Sequence, residues 1–214
     1  MSHHTKKEKQ LERIILFTDA VFAIAITLLA IEIKIPELHQ INEHESINSF
    51  LILIPRLIGF VTSFLVIGIY WIAHHKIFSF VTDYDRKLLW LNLFLLMFVV
   101  LMPFTTGFFF EYTRLRFPFL LYSLNILTIG YFQARIIKYV SKAALSEGMN
   151  IWLSRYIISR GFVPGIIFIV VAIFQYLLPD NYVAISRMAM MITIIPFIVL
   201  KKYFAKKGVD VKNY

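Results

Sequence analysis

The sequence has 214 residues, of which 59% are hydrophobic and 16% are charged, and its formal net charge is +9. A water-soluble domain of this length could not hide so much apolar surface, so the composition indicates an integral membrane protein. The absence of cysteine excludes a disulfide framework, a zinc–thiolate site and a thiol nucleophile, and the basic residues flank apolar segments instead of alternating with aromatics, which argues against nucleic acid as a partner.

Six apolar segments approach the roughly 20 residues that a membrane-spanning helix needs. We expect them to form one all-α transmembrane domain over residues 1–214. We expect no cleavable signal peptide, because the basic start runs directly into a full-length apolar helix. The connection 142–160 is predicted to be an amphipathic helix that lies on the inner face of the membrane. The predicted spans are roughly residues 12–33, 50–73, 88–110, 117–134, 161–179 and 182–200.

The distribution of lysine and arginine predicts the orientation of these spans. With the N-terminus inside, the inner segments hold 17 basic residues and the outer ones hold four, namely Lys34, Arg114, Arg116 and Arg187. Arg56 lies well within a span, where voltage sensing and contact with lipid headgroups are both open. Because positive charge is retained on the cytoplasmic side, we expect a multi-pass protein of the cell membrane with both termini in the cytoplasm.

The first span contains the stretch "FTDAVFAIAITLLAIEI", residues 17–33, in which two polar groups interrupt an apolar helix. At 100° per residue, Ile24, Leu28 and Ile31 form one bulky stripe, and Thr27 lies on its edge. Small residues form an adjoining stripe, and such residues let helix backbones approach closely in lipid. These small residues are Ala20, Ala23, Thr27 and Ala30.

Asp19 lies about 140° away from the bulky stripe, near the inner end of the same helix. A charged side chain at this depth is costly unless it is paired. The second span runs in the opposite direction, so its end "YWIAHHKIF" brings His74 and His75 to the depth of Asp19, and Arg13 lies below it on helix one. We therefore predict a structural polar network of Arg13, Asp19 and one of the two histidines, which pins helix one to helix two.

Simpler interpretations of these residues remain open at the level of the sequence. A threonine in a spanning helix often bonds back to the carbonyl four residues earlier, which for Thr27 is that of Ala23. The bulky stripe also fits a face in contact with lipid, and Asp19 fits a position in interfacial water. The adjacent pair His74 and His75 is not a metal site by itself, because the two side chains point about 100° apart on a helix.

The first helix closely resembles the signature of the transmembrane protein 175 family in its single-repeat prokaryotic form. The family pattern is R-x-x-x-F-S-D followed by V-F-A-I-A-I-T-L-L. Arg13, Phe17 and Asp19 match it, and Thr18 replaces the usual serine, which keeps a hydroxyl at that position. The strong match covers about 25 residues, and the "W-x-x-H-H" end of the second helix and the count of six helices also fit.

The resemblance implies a potassium-permeable cation channel, built as a homotetramer without the pore loop of ordinary potassium channels. It implies no enzymatic activity, no cofactor and no metal beyond permeating K⁺ and other monovalent cations, and it implies that helix one lines a central pore in the lipid bilayer. By position in the motif, the hydrophobic constriction falls on Ile24, Leu28 and Ile31, and the selectivity position falls on Thr27. The inter-helix polar network falls on Arg13 and Asp19, with a histidine partner at His74 or His75.

A second function is compatible with the same polar residues. Asp19, His74 and His75 would also serve as a proton relay in a secondary transporter or proton-coupled permease. Against this, the sequence has no visible repeat and no paired helices broken by glycine or proline, which are typical of many transporters. An intramembrane enzyme is less favoured still, because no His-rich metal set, Ser–Lys pair or pair of intramembrane aspartates is present.

Overall fold

Helices make up nearly all of the chain that the structure describes. The computed structural model describes residues 3–35, 42–143, 145–146, 149–183 and 194–208. Within these ranges there are three short 3-10 turns, at Leu29–Glu32, Gln175–Leu177 and Asp180–Tyr182. The α-helices in the same ranges are α1 (His3–Leu28), α2 (Glu43–Phe78), α3 (Arg86–Val100), α4 (Met102–Glu111), α5 (Arg116–Lys142), α6 (Ile151–Phe174) and α7 (Ile194–Ala205).

Side-chain caps explain why three of these helices begin where they do. Asn42, Asp85 and Asn150 each stand just before a helix and accept a hydrogen bond from a backbone N–H of its first turn, at 2.8 Å in all three cases. Such caps satisfy amides that have no partner inside the helix. The break between α3 and α4 at Leu101 directly precedes Pro103, whose ring and missing N–H interrupt the helical ladder.

The all-helical prediction is confirmed. Among the described residues, five helical segments are long and apolar enough to cross a membrane, and α3 and α4 together form one of them. The sixth predicted span, 182–200, lies largely outside the described residues, which omit 184–193. The five segments are Lys6–Glu32, Glu43–Phe78, Arg86–Glu111, Arg116–Lys142 and Ile151–Leu177.

The prediction of a separate interfacial helix over 142–160 is wrong. The fifth helix continues to Lys142, and α6 begins at Ile151 and runs on without a break through residue 160 into the membrane segment. The charged side chains that suggested an interfacial position are accommodated on aromatic rings of the same helix. The Arg155 guanidinium lies 5.0 Å from the Trp152 ring centroid, and that of Arg160 lies 5.6 Å from the Tyr156 ring centroid.

Among the described residues, the closest approach of two helix backbones at a glycine joins α5 to α6. A Cβ placed on Gly130 would lie 2.5 Å from the carbonyl oxygen of Gly161, and one placed on Gly165 would lie 2.6 Å from the Cα of Leu127. Only glycine permits two helix backbones to approach this closely. The two helices therefore form one tightly joined pair.

A buried tyrosine ties α2 to this pair. The hydroxyl of Tyr70 donates to the carbonyl of Gly161 at 2.8 Å and also lies 3.1 Å from the carbonyl of Ile126. The side-chain amide of Gln133 donates to the backbone carbonyl of Tyr70 at 2.9 Å. Because Tyr70 and Gln133 are both about 1% exposed, these bonds satisfy polar groups that have no access to water.

The helix ends define two ends of the bundle. The basic end contains the start of α1, the loop 79–85, the end of α5 and the start of α6, and the far end contains the end of α1, the segment 112–115 and the end of α6. At the basic end the Lys7 ammonium lies 2.8 Å from the Asp83 carboxylate, and the amide of Thr82 donates to the carbonyl of Leu145 at 2.9 Å. In the same loop the hydroxyl of Tyr84 donates to the side-chain oxygen of Gln10. The loop 79–85 thus holds the first turns of α1.

At the far end, Arg116 caps the 3-10 turn Gln175–Leu177, which directly follows α6. Its guanidinium donates to the carbonyls of Gln175 and Leu178 at 2.9 and 2.7 Å and forms an ion pair with Asp180 at 2.7 Å. The last carbonyls of a helix have no partner inside it, so a cation placed there satisfies them.

Candidate functional site

The first helix is covered by the rest of the chain along one face and is bare along the other. Phe22, Ala25 and Leu29 on the covered face are at most 1% exposed. On the bare face Ile24 is 56% exposed, Leu28 36% and Ile31 70%. The stripe singled out in the sequence is therefore a surface of the isolated chain. The small residues beside it, Ala20, Ala23, Thr27 and Ala30, are exposed as well.

Thr27 bonds back to its own helix, although not to the carbonyl considered above. Its Oγ1 donates to the carbonyl of Ile24 at 2.9 Å, and not to that of Ala23. A hydroxyl has one proton and two lone pairs. When its proton is donated to the backbone, both lone pairs of the oxygen stay available to accept. The exposed Thr27 oxygen therefore keeps lone pairs that no group of the described chain occupies.

Asp19 is half-buried and is paired with a residue that the sequence analysis missed. The indole Nε1–H of Trp71 donates to its Oδ1 at 2.9 Å. The ring of Trp71 in turn lies 5.7 Å from the ring of His75, centroid to centroid. Arg13 is exposed, and the structure does not bring it to Asp19 within this chain. The "W-x-x-H-H" motif contained this tryptophan, but its indole N–H was not considered as a donor.

His74 belongs to a different, fully buried network. Its Nε2 lies 2.9 Å from Asn92 Oδ1, and the amide nitrogen of Asn92 donates to Thr18 Oγ1 at 2.8 Å. The Thr18 hydroxyl donates to the carbonyl of Ile14 at 2.8 Å. Because an amide oxygen can only accept, Nε2 of His74 carries the proton. Thr18, His74 and Asn92 are each at most 2% exposed, so this network fastens α1 to α2 and α3 away from water.

The polar network predicted from the sequence is thus divided in two. His74 joins Thr18 through Asn92, and Asp19 joins Trp71, so no direct Asp–His contact forms within the described chain. Asn92 was missed although it stands alone in the apolar run "LLWLNLFLL", where a buried amide requires partners. The hydroxyl of Thr18 is needed as both donor and acceptor, which explains why a threonine can stand where the family signature has serine.

Beyond Leu28 the first helix tightens into a 3-10 turn and is held at the far end by charged groups. Arg56 donates to the carbonyl of Lys34 at 3.3 Å and forms an ion pair with Glu111 at 2.8 Å. The carboxylate of Glu32 fits against Gly107, since a Cβ on Gly107 would lie 2.0 Å from Glu32 Oε2. Arg56 therefore joins α2, α4 and the end of the first span.

Among the described residues, no group of three His, Cys, Asp or Glu side chains is close enough to hold a metal ion. The adjacent histidines are separated by their surroundings: the ring of His74 is stacked on Phe78 with centroids 4.3 Å apart, whereas His75 is exposed.

Comparisons with known proteins agree on one family. The family model described as "Endosomal/lysosomal potassium channel TMEM175" matches residues 13–103. A potassium channel of Chamaesiphon minutus is 44% identical over 107 residues, which cover 50% of this chain and 52% of the relative. A potassium channel of Streptomyces collinus is 43% identical over 109 residues, which cover 48% of each protein. The matched part of the chain thus spans about half the length of these curated relatives.

A solved structure extends the similarity over nearly the whole chain. The crystal structure of a TMEM175 homolog from Chamaesiphon minutus, described as a lysosomal potassium-selective channel, matches with a TM-score of 0.65 and 30% identity. The match covers 93% of this chain and 98% of that one. The helical arrangement of nearly the whole chain is therefore found in a solved channel structure.

Proposed function

Because the chain belongs to the TMEM175 family, whose members are ion channels and not enzymes, we propose that it is a potassium-permeable cation channel of the cell membrane. The observation that carries this proposal is the bare face of α1, on which Ile24, Leu28 and Ile31 stand exposed beside the outward-facing oxygen of Thr27. Large apolar side chains on one face require a partner or lipid to cover them.

The chain functions as a homotetramer in which the bare faces of four α1 helices surround a central axis. Rotational symmetry repeats each residue of α1 four times around that axis. The stripe of small residues supports this arrangement, because alanine at Ala20, Ala23 and Ala30 allows a neighbouring helix to approach closely. Both termini lie in the cytoplasm, as the distribution of basic residues predicts.

The rings of Ile24, Leu28 and Ile31 form the hydrophobic constriction. Branched side chains from four subunits exclude water when they close, and a dry constriction blocks ions without any charged gate. The ring of Thr27 contributes four hydroxyl oxygens to a passing cation. Four hydroxyls replace less of a hydration shell than stacked carbonyl rings do, so selectivity for K⁺ over Na⁺ is modest and no pore loop is required.

Arg13, Asp19, His74 and His75 do not touch the ion in this proposal. Asp19 bonds to Trp71 and His74 bonds to Asn92, and these bonds hold the pore helix against the body of the subunit at the cytoplasmic side. The separation of Asp19 from the bulky stripe and its bond to Trp71 on α2 support this role. The proton-relay alternative is not favoured, because Asp19 and His74 bond to different partners in the described chain.

A cysteine scan of residues 20–32 tests the pore, because the chain has no native cysteine. Purified variants are recorded in planar bilayers while a water-soluble thiol reagent is added. We expect block at positions 24, 28 and 31 and no effect at positions 22 and 26. A protein that still conducts but shows no effect at any position would place the pore elsewhere.

Alanine variants separate the constriction from the selectivity position. Ile24→Ala, Leu28→Ala and Ile31→Ala should each raise K⁺ flux into liposomes, because they widen and wet the narrowest point. Thr27→Ala removes four hydroxyls and little bulk, so the K⁺ to Na⁺ ratio should fall more than the flux rises. A stripe that merely faced lipid would give neither result.

A further inference from the structure

One tryptophan ring at the basic end is in contact with two cationic side chains, one from α6 and one from the turn after α7. The Arg155 guanidinium lies 5.0 Å and the Lys207 ammonium 5.3 Å from the ring centroid of Trp152. Arg155 is one turn further along α6, whereas Lys207 directly follows α7. The ring is half-buried, and both cations are exposed. Both cations lie beside one ring, so an anion bound next to that ring would be attracted by both of them.

The protein supplies no such anion among its described residues. No carboxylate of a described residue lies within ion-pair distance of Arg155 or Lys207, and the ion pairs among these residues involve other cations. The surroundings add positive charge instead of compensating it. The further exposed cations of α7 and the turn after it are Lys201, Lys202 and Lys206.

The surface beside these cations is apolar. Val199 and Tyr203 are spaced by four residues and lie along one face of α7, where they are 58% and 52% exposed, and Lys207 lies two residues beyond the end of that helix. Helices α6 and α7 pack together here, with the rings of Tyr156 and Phe204 at 5.3 Å. The result is an apolar strip that ends in a tryptophan and two cations.

We propose that Trp152, Arg155 and Lys207 form a binding site for an anionic glycerophospholipid of the cytoplasmic leaflet. The headgroup phosphate lies between the two cations, where the guanidinium donates paired hydrogen bonds to its oxygens. One acyl chain follows Val199 and Tyr203. Trp152 stands in the second position of a membrane segment that begins at Ile151, which is the interfacial depth that tryptophan prefers.

The bound lipid joins α6 to α7, because its phosphate bridges one cation from each side. Near its end, helix α7 contacts α6 through the ring of Phe204, which lies 5.3 Å from the ring of Tyr156. Anionic lipid therefore stabilises the end of the chain against the rest of the subunit. This inference requires insertion in a membrane but does not depend on the conduction of ions.

The test measures binding of phosphatidylglycerol and phosphatidylcholine to the full chain in neutral detergent by native mass spectrometry. The test variant is Arg155→Gln with Lys207→Gln. The matched control is Arg135→Gln with Lys138→Gln, which removes two exposed cations from α5. We expect affinity for phosphatidylglycerol to fall about fivefold for each site cation removed, because one basic side chain contributes about 1 kcal/mol at an anionic membrane surface. The control pair should retain wild-type affinity, and phosphatidylcholine should bind weakly to all three proteins.

Three results would overturn the site. Equal losses in the test and control pairs would mean that the charge acts diffusely, and equal binding of phosphatidylcholine would remove the role of headgroup charge. If soluble glycerol phosphate displaced phosphatidylglycerol at the same concentration as the lipid, the acyl chain would contribute nothing to the affinity. The melting temperature without added lipid should match between test and control pairs, which shows that both fold. Because the readout is binding, failure of this site is distinguishable from failure of the channel proposal.

Discussion

The α5–α6 pair and the first helix are attached to the rest of the protein in opposite ways. The most apolar window of α5 is 56% buried inside the chain, whereas that of the first span is 22% buried. The pair is fused by glycine contacts between backbones, such as that of Gly130 with Gly161. The first helix instead meets its neighbours along one side and is fastened at a few polar points, chiefly Thr18.

This difference indicates which part of the subunit can move. A helix that is joined backbone to backbone cannot shift without opening a void or a clash, because protein interiors are closely packed. A helix held by separate hydrogen bonds can change position by exchanging them. We therefore expect α5 and α6 to act as a rigid body and α1 to be the element whose position determines conduction.

Gly130→Ala should give the largest loss of stability, because its new methyl group would force the backbones of α5 and α6 apart. Its new Cβ would lie 2.5 Å from the carbonyl oxygen of Gly161, which belongs to a backbone and cannot rotate away. Overpacking of this kind costs about 3 kcal/mol. The matched control is Gly68→Ala, whose Cβ meets nothing within 4 Å. Thermal unfolding in detergent measures both, and equal melting temperatures would contradict a fused pair.

Asn92→Leu should give the next largest effect, because it breaks the main fastening of α1. The substitution leaves the protonated Nε2 of His74 without its acceptor and the hydroxyl of Thr18 without its donor, at a cost of about 2 kcal/mol. The control is Asn48→Leu, which changes an exposed asparagine on α2. If the two variants melt at the same temperature, the network does not hold the helix.

Asp19→Asn should have a smaller effect, because asparagine can still accept from Trp71. The bond loses the charge of its acceptor, which is worth about 1 kcal/mol. We expect weaker tetramers in detergent with little change in ion selectivity. A double-mutant cycle with Trp71→Phe isolates the pair, and full tetramer stability combined with altered selectivity would give Asp19 a role in the pore instead.

Arg56→Gln tests the fastening at the far end and should have a minor effect. The side chains of Arg56 and Glu111 are 27% and 41% exposed, and ion pairs in such positions contribute about 0.5 kcal/mol. The difference from wild type should shrink further at high salt, because exposed charges are screened. A large loss that did not respond to salt would mean that this end is as rigid as the α5–α6 pair.

Asp83→Asn should have the smallest effect at neutral pH, and the effect should depend on pH. The Lys7 ammonium, with the backbone N–H of Tyr84, holds the pKa of Asp83 below its ordinary value of 3.8. A carboxyl group with a lowered pKa stabilises the fold above its ordinary pKa, and this contribution is lost as the pH falls through the lowered value. The melting temperatures of variant and wild type should therefore differ at pH 6 and converge below about pH 3.8. A constant difference would contradict the ion pair.

The sequence alone was sufficient for features that depend on one helix at a time. Helical geometry separates Asp19 from Ile24, Leu28 and Ile31, and the structure has that stripe exposed on one face. It was not sufficient for contacts between helices, because hydropathy does not say which helix lies beside which. Asn92 is distant from Thr18 in sequence, so their bond could not be seen until α3 was placed beside α1.

Rotamers and local charge also escaped the sequence analysis. Whether Thr27 bonds to the carbonyl of Ala23 or of Ile24 depends on one torsion angle, which composition cannot determine. The segment 142–160, which contains Arg155 and Arg160, suggested an interfacial helix because it mixes charged and apolar side chains in an amphipathic pattern. The aromatic residues Trp152 and Tyr156 stand close to these arginines in the sequence. Their rings contact the two guanidinium groups, and this contact became visible only when the continuous helix α6 was known.

The first helix is long and unbroken, and it is fastened to its neighbours near its middle. A force on one end of such a helix can pivot it about the fastened point. The helix runs from His3 to Leu28 with no glycine or proline, and its length is about 39 Å. Thr18 acts as the fulcrum. The arm from there to Lys7 is about 16 Å, and the arm to Leu28 is about 15 Å. In the channel proposed above, a displacement of Lys7 by the loop at Asp83 that pivots the helix about Thr18 would move Leu28 by nearly the same distance in the opposite direction, and this would change the bore of the proposed constriction.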